Sequence, residues 1–323
     1  MRDESLKSRT PLRSVVAPYV QLARFDHWLK NVFMLPGVLV AMLADPDLVS
    51  ATGFARVALG LLAAGIAASA NYILNELMDE KSDAFHPVKR SRPLPSGLVS
   101  RRMVVFEWVA FAVVGLCLAS VLGPRFLGTV FALLVMGCVY NVPPVRSKDK
   151  PYLDVLSESI NNAIRFVLGW YATGIVSLPS VSLLFAYWMV GAFFMAIKRL
   201  AEYRRIGDPD VSARYRKSFG HYNEEKLLKS IIYYATAFGL FFGIFLIRYR
   251  MELILSTPLI AGFMTWYLHL GLLEDSPAQY PERLFKQGAF VAYVFVCCAV
   301  VLTLLFVPIP ILHRIFQSSF TLR

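Results

Sequence analysis

Long apolar runs separated by short charged segments follow one another along almost the whole chain. The runs lie at 31–44, 54–77, 103–122, 126–142, 155–176, 180–197, 230–247, 253–273 and 288–308. A helix needs about 20 mainly apolar residues to cross roughly 30 Å of hydrocarbon. Most runs approach that length, and the first reaches it if residues 18–30 extend it. The pattern predicts an all-α polytopic membrane protein, with about nine transmembrane helices in one bundle and a single domain over residues 1–323.

Composition agrees with this pattern. Apolar residues make up 57% and aromatic residues 14% of the 323-residue chain, and mean hydropathy is +0.54. These values are too high for a soluble protein of this length. The cysteines all lie in apolar runs, which predicts neither a disulfide framework nor a zinc site. No basic soluble segment with interleaved aromatic residues occurs, so we expect no nucleic-acid partner.

Lys and Arg residues are concentrated in alternate loops. The segments 1–30, 78–103, 143–154, 198–229 and 274–287 carry 6, 6, 3, 9 and 2 of them, which is 26 of the 33. Cytoplasmic loops of membrane proteins are enriched in these residues. We therefore expect an integral protein of a bacterial inner membrane, with a cytoplasmic N-terminal segment at 1–20. The loops 78–103, 143–154 and 198–229 are expected to cap a polar cavity on the cytoplasmic side.

The first of these loops follows an unusual arrangement of polar residues. Asn75, Asp79 and Asp83 recur every four residues, and on a helix this spacing drifts by only about 40° per step. Carboxylates on one face are suitable ligands for Mg²⁺, which typically binds through one or two carboxylates and substrate phosphates. The bases that follow, Lys89, Arg90 and Arg92, would hold the remaining phosphate charge. The alternative is a solvated juxtamembrane turn, but the strict spacing favours a diphosphate site.

A second polar group starts in the loop YNVPPVRSKDKPYLDVL at 140–156. Its candidate site residues are Tyr140 and the charged residues Arg146, Lys148, Asp149 and Asp154. Asp154, Glu158, Asn161 and Arg165 then form a stripe on one helix face. Charges at membrane depth each cost on the order of 3 kcal/mol, so the stripe should face a polar cavity. The alternative is interhelical hydrogen bonding without chemistry.

The loop 198–229 is long and amphiphilic. Lys198, Glu202 and Arg205 share a face where the preceding helix leaves the membrane, and further bases follow at 214–217. Loops longer than about 15 residues between packed helices are usually functional. A cover over a phosphate site is the interpretation we favour, against a solvated patch that faces lipid headgroups.

These motifs resemble those of the UbiA superfamily of intramembrane prenyltransferases. Residues 75–83 are similar to its first aspartate-rich motif, NDxxDxxxD, and RPLPSG follows as it often does in that family. Glu76 stands where the motif has Asp. The string YNVPPVRSK is similar to YSxPPLRxK, which precedes the second acidic motif, although the DxxxD of that motif is absent here.

Further segments resemble one branch, the decaprenyl-phosphate phosphoribosyltransferases. They are HWLKNVFMLPG at 27–37, HPVKRSRP at 86–93, KRLAEYR at 198–204 and YRKSFGHY at 215–222. The first matches through Trp28, Lys30 and Asn31. The loop at 140–154 is longer than the form typical of that branch.

The resemblance implies a Mg²⁺-dependent transfer of a 5-phosphoribosyl group from phosphoribosyl pyrophosphate to a polyprenyl phosphate. The alternative is transfer of a prenyl chain from a prenyl diphosphate to an aromatic or other acceptor. A transporter or lipid-binding protein is a third class, but the inverted repeats of transporters are not found in the sequence. The sequence leaves open whether the chain forms a homo-oligomer.

The candidate site residues fall into three groups. The catalytic candidates are Asn75, Asp79, Asp83, Lys89 and Arg92. The phosphate-binding candidates are Lys30, Asn31, Arg90, Tyr140, Arg146, Lys148, Arg165, Lys198 and Glu202, without assignment between sugar phosphate and lipid phosphate. The metal-ligand candidates are Asn75, Asp79 and Asp83, together with Asp154 or Asp149, of which Asp154 is favoured.

Overall fold

A computed structural model describes residues 12–84, 89–279 and 281–316, and these residues contain helices and no strand. The helices are α1 (Leu12–Leu22), α2 (Leu35–Ala44), α3 (Ala51–Asp83), α4 (Arg101–Val121), α5 (Pro124–Asn141), α6 (Leu153–Ala172), α7 (Val181–Ile206), α8 (Pro209–Tyr215), α9 (Glu224–Tyr249), α10 (Thr257–Leu272), α11 (Pro281–Leu284), α12 (Gly288–Phe306) and α13 (Pro310–Phe316).

Within the described residues, eight helical stretches are long and apolar enough to cross a membrane. They are Val16–Ala44, Ala51–Lys81, Arg101–Val121, Pro124–Asn141, Val181–Ile206, Glu224–Tyr249, Met251–Leu272 and Gly288–Phe306. Each corresponds to one predicted apolar run, and the first is extended upstream as the sequence required. The remaining predicted run, 155–176, corresponds to α6, where polar side chains interrupt the apolar ones. The prediction of an all-α membrane protein is confirmed.

The chain forms two compact units. The first contains Met1–Ser147 and Ile164–Ser177, and the second contains Lys148–Ala163 and Leu178–Arg323. Helix α6 therefore contributes its first half to the second unit and its second half to the first. The single domain over residues 1–323 stays a prediction.

Small residues allow close helix packing in the first unit. Ala63, Ala64 and Ala67 on α3 are fully buried in its core, and α3 packs mainly against α4 and α5. Two glycines mark the closest approach elsewhere: a β-carbon on Gly37 would lie 2.0 Å from the carbonyl oxygen of Phe166, and one on Gly169 would lie 1.9 Å from that of Met34. Close backbone approach through small residues is typical of helices in membranes.

The second unit is organised around the pairing of α7 with α9. Ala192, Ala196 and Ile197 on α7 are buried in its core, together with aromatic side chains from neighbouring helices. Helix α7 ends at Ile206 and is followed by Gly207, whose φ of 70° suits a residue without a β-carbon. Asp208 then accepts hydrogen bonds from the backbone N–H groups of Asp210 and Val211, which starts α8.

The close approach at Gly169 predicts a specific loss of stability. Gly169→Ala should lower the free energy of unfolding by about 1–3 kcal/mol, because the new methyl group meets backbone atoms that cannot rotate away. Gly128→Ala is the matched control, since a β-carbon there has no neighbour within 4 Å. Thermal unfolding in detergent, followed by tryptophan fluorescence, measures both. Equal midpoints for the two variants would contradict the packing described.

Candidate active site

The polar end of α3 carries the first group of predicted site residues. Helix α3 continues through Asp83, six residues beyond the apolar run, so Asn75, Asp79 and Asp83 lie on successive turns of one helix. The four-residue spacing then gives the three side chains a common face, as the sequence predicts. Asp83 is buried, whereas Asn75 and Asp79 are half-buried.

Each carboxylate of this group lies beside a cation. Arg146 Nη2 donates to Asp79 Oδ1 at 2.8 Å. Arg92 Nη1 donates to Asp83 Oδ2 at 2.5 Å, and the Lys89 ammonium lies 3.8 Å from the other oxygen of Asp83. The site thus contains alternating negative and positive groups, which is an arrangement suited to a metal–polyphosphate pair.

Backbone contacts hold Arg146, in the 140–156 loop, in place. Arg146 has a φ of 31°, in the left-handed region that non-glycine residues seldom adopt. Its guanidinium also donates to the carbonyl oxygens of Asn141 and Met78, at 3.1 and 3.4 Å. The Asn141 side chain in turn accepts from Asn75 Nδ2 at 2.6 Å. The donor in this bond is the amide nitrogen of Asn75, not its oxygen.

Glu76, the residue that departs from the family motif, has a different role. Its side chain is only 2% exposed, and Oε1 accepts from the backbone N–H of Leu94 at 3.1 Å. Its other oxygen lies 3.9 Å from Arg24, a residue that the sequence did not single out. Glu76 therefore fixes the RPLPSG segment to α3.

The second unit contains a carboxylate group around a buried arginine. Arg199 donates through Nε to Asp154 at 3.2 Å, through Nη2 to Glu158 at 2.6 Å, and through Nη1 to Glu202 at 3.1 Å. The side chains of Asp154 and Arg199 are 0% and 1% exposed. Arg199 lies inside the KRLAEYR segment. Its neighbour Lys198 was selected from the sequence instead, because Lys198 shares a helix face with Glu202 and Arg205.

The loop residues 216–222 meet the same carboxylate. Ser218 Oγ donates to Asp154 Oδ2 at 3.1 Å, and the Tyr222 hydroxyl donates to Oδ1 at 2.7 Å. Arg216 lies 3.7 Å from Asp154. Burial, followed by the negative charge of Asp154, raises the pKa of the Tyr222 hydroxyl above its ordinary value. Tyr222 thus remains a proton donor throughout the physiological pH range.

The stripe predicted on α6 does not form one cluster. Asp154 and Glu158 meet at Arg199, whereas Asn161 donates to the backbone oxygens of Ser157 and Glu158 on its own helix. Arg165 Nε donates to the side-chain oxygen of Asn31 at 3.4 Å, which brings two predicted phosphate-binding residues together in the first unit.

The other predicted residues have varied surroundings. Lys30 is exposed, with its ammonium 5.6 Å from the ring centre of Tyr72. Arg90 is exposed, Lys198 and Tyr140 are half-buried, and Lys148 is buried. Asp149 lies 3.6 Å from the ammonium of Lys217. The motif residue His86 lies outside the described residues.

The donor atoms on α3 fit Mg²⁺ better than a softer metal. They are carboxylate and amide oxygens, and no group of three or more Asp, Glu, His or Cys side chains arranged for a metal occurs in the part of the chain described. Mg²⁺ commonly keeps several waters and needs just one or two protein carboxylates when substrate phosphates complete its shell. Asp79 and Asp83, with Asn75, are such a set.

The described helices and the charged end of α3 define a class of protein: an all-α integral membrane protein with a polar site at a helix end. Residues 33–294 match the model of the UbiA prenyltransferase family. Because the match covers most of the chain, the chain belongs to this family.

Curated relatives give a narrower similarity. The chain is 27% identical over 248 residues to the decaprenyl-phosphate phosphoribosyltransferase of Mycolicibacterium smegmatis, which covers 76% of this chain and 74% of that protein. It is 30% identical over 233 residues to the protein of the same name from Corynebacterium glutamicum, covering 68% and 64%. A protoheme IX farnesyltransferase from Thioalkalivibrio sulfidiphilus is 28% identical over 172 residues, which is 50% and 54% of the two chains.

Solved structures share the fold. A UbiA homologue from Archaeoglobus fulgidus bound to GPP and Mg²⁺ superimposes with a TM-score of 0.65 at 22% identity, covering 88% of this chain and 99% of that one. The same homologue bound to DMAPP and Mg²⁺ gives 0.66 at 21% identity, covering 88% and 98%. A digeranylgeranylglyceryl phosphate synthase structure gives 0.60 at 14% identity, covering 90% and 97%.

The contacts of Glu76 predict different results for two substitutions. Glu76→Ala should destabilise the protein by about 1–3 kcal/mol, because the buried N–H of Leu94 loses its acceptor. Glu76→Gln keeps an acceptor oxygen and should stay closer to the parent in both thermal midpoint and turnover. Thermal unfolding in detergent measures the first quantity. A Glu76→Gln variant that is fully stable but inactive would instead indicate that the Glu76 charge contacts metal or substrate.

Proposed function

We propose that this protein transfers a 5-phosphoribosyl group from phosphoribosyl pyrophosphate to a polyprenyl phosphate, in a Mg²⁺-dependent reaction. The main support is the 27% identity to a decaprenyl-phosphate phosphoribosyltransferase, which extends over 76% of this chain and 74% of that protein. The pairing of each α3 carboxylate with a cation gives chemical support, since such a site suits a donor that carries a pyrophosphate and a metal.

The residues on α3 hold the metal in this proposal. Asp79 and Asp83, helped by the oxygen of Asn75, would hold Mg²⁺, which when bound would neutralise charge on the leaving pyrophosphate. Lys89, Arg92 and Arg146 stabilise the same charge electrostatically. These cations lie beside the carboxylates that would hold the metal.

The chemical step requires no protein base. An oxygen of the lipid phosphate forms a bond to the anomeric carbon of the ribose, and the bond from that carbon to the pyrophosphate breaks. A phosphate ester is already ionised at neutral pH, so it attacks without losing a proton to the enzyme. The contribution of the protein is to position the two anions and to offset their repulsion.

A prenyl transfer from a prenyl diphosphate is the second candidate. It is supported by the family itself, and by the related fold that has been solved with GPP and with DMAPP. The metal site on α3 would then hold the diphosphate of the lipid, and the acceptor would be an aromatic or other molecule.

The location of the site follows from the charge distribution. With the basic loops in the cytoplasm, the polar end of α3 faces the compartment that supplies a soluble sugar donor. We therefore propose a bacterial inner membrane protein with its active site on the cytoplasmic side.

Purified protein distinguishes the two reactions directly. Labelled phosphoribosyl pyrophosphate with polyprenyl phosphate and Mg²⁺ should give a labelled lipid, whereas labelled prenyl diphosphate with an aromatic acid should not. Chelation of the metal, or Asp79→Ala or Asp83→Ala, should abolish turnover while the protein still accumulates in the membrane. Asp275→Asn, which alters an exposed ion pair with Arg283, is the control. Product from the prenyl donor alone would favour the second candidate, and full activity in EDTA would contradict the metal assignment.

The two donors also differ in how many anionic ends they present. Phosphoribosyl pyrophosphate has a second one, the 5-phosphate, and Lys30, Arg90 and Lys198 are cations beyond those of the general motif. Replacing the cation that contacts the 5-phosphate by Gln should raise KM for this donor by roughly 10- to 150-fold, since a charge-assisted hydrogen bond contributes about 1.5–3 kcal/mol. KM for the polyprenyl phosphate should change little.

Initial rates of the three single variants measure this effect. Lys229→Gln is the control, because its ammonium pairs with Glu225 on the surface of α9. Parent-like KM values in all three variants would remove the residue-level support for the phosphoribosyl donor.

A further inference from the structure

The carboxyl group of Asp154 is fully enclosed, and both of its oxygens have protein donors. The Tyr222 hydroxyl donates to Oδ1, while Arg199 Nε and Ser218 Oγ donate to Oδ2. The three distances range from 2.7 to 3.2 Å, which is ordinary hydrogen-bond length. A metal ion bound at Asp154 would have to displace at least one of these donors.

The protein itself supplies the positive charge that this acidic group needs. Asp154 and Glu158 from α6 and Glu202 from α7 all accept from one guanidinium, that of Arg199. Guanidinium carries five N–H donors in a rigid fork and stays charged at every accessible pH. Cations also lie at Asp79 and Asp83, but the side chains of Arg92, Arg146 and Lys89 are 22–33% exposed and can turn toward a ligand. The Arg199 side chain is 1% exposed and enclosed by its three carboxylates, so it cannot make way for a divalent ion.

We propose that Arg199 is a built-in counter-ion that takes the place of a metal at the second acidic group, and that Asp154 is a positioning residue for residues 216–222. The family pattern puts a second acidic motif here, and the sequence favoured Asp154 as a ligand. The donors around Asp154 do not fit that assignment. Divalent-cation binding is then confined to Asn75, Asp79 and Asp83. This assignment of the metal to α3 rests on the proposed function, whereas the roles of Arg199 and Asp154 do not.

The positioning role follows from how residues 216–222 are held. They connect α8 with α9, and Arg216, Ser218 and Tyr222 all reach Asp154. The ring of Phe219 between them is buried in the core of the second unit. Loss of the Asp154 charge therefore weakens several contacts of this loop at once.

Limited trypsin digestion of the full-length protein in detergent micelles tests the proposal without substrate. Cleavage after Arg214, Arg216 and Lys217 is followed by mass spectrometry, in EDTA and with added Mg²⁺. The parent should be equally protected in both conditions, because its counter-ion is a side chain. Asp154→Asn should be cleaved about tenfold faster in both, since cleavage follows the population of the open loop.

A metal ligand at Asp154 predicts the opposite result. The parent would be cleaved rapidly in EDTA and protected by Mg²⁺. Asp154→Asn would then be cleaved rapidly in Mg²⁺ as well, and its cleavage in EDTA would match that of the parent. Either result, or unchanged cleavage of Asp154→Asn, overturns the proposal.

Tyr222→Phe keeps every carboxylate and covers the case in which Asp154→Asn does not fold; it too should be cleaved faster than the parent in EDTA. Asp275→Asn is the matched control and should behave as the parent does.

The Mg²⁺ requirement of turnover separates positioning from metal binding. Asp154→Asn should lower kcat/KM and leave the Mg²⁺ concentration for half-maximal activity unchanged, whereas loss of a metal ligand raises that concentration. Failure of the proposed function appears as absence of the expected product from the parent protein. Failure of this inference appears in the digestion pattern, so the two are distinguishable.

Discussion

Ion pairs between buried carboxylates and arginines hold several segments of this fold in place. Among the described residues four carboxylate side chains are buried, and each lies within 4 Å of an arginine; the pairs are Glu76 with Arg24, Asp83 with Arg92, Asp154 with Arg199, and Glu252 with Arg250. Removing one partner of a buried ion pair typically costs about 3–5 kcal/mol, because the other charge is left without compensation. Each pair therefore strongly constrains the conformation of the segments it joins.

These pairs attach loops to helix ends. Asp83 holds the RPLPSG segment through Arg92, and Glu76 holds the same segment through the backbone of Leu94. At another helix end, Glu252 accepts from the backbone N–H of Ile309. The loops that carry the candidate site are thus fixed by hydrogen bonds from helices, which is how a membrane protein can position a polar site with precision.

The sequence predicted the features that depend on local periodicity. Apolar runs located the helices, and the four-residue spacing of Asn75, Asp79 and Asp83 gave their common face. It could not predict features that depend on which helices meet. Arg199 was missed because one residue turns a helix by about 100°, so the face selected through Lys198 excluded its neighbour. The contact of Arg199 with Asp154 joins residues 45 positions apart, which no helical spacing encodes. Arg24 was missed for the same reason, since it lies in the turn after α1 while its partner Glu76 lies on α3.

The ion pairs at the end of α3 also bear on how a site can accept a highly charged substrate. Asp79 is paired with Arg146, and Asp83 is paired with Arg92 and Lys89. In the proposed reaction the donor would bring a metal and a pyrophosphate together, so the carboxylates would hold the metal and Arg146, Arg92 and Lys89 would pair with the phosphate oxygens. Each charge would then keep an opposite charge beside it, which would avoid the penalty of several kcal/mol per ion for removing an unpaired charge from water.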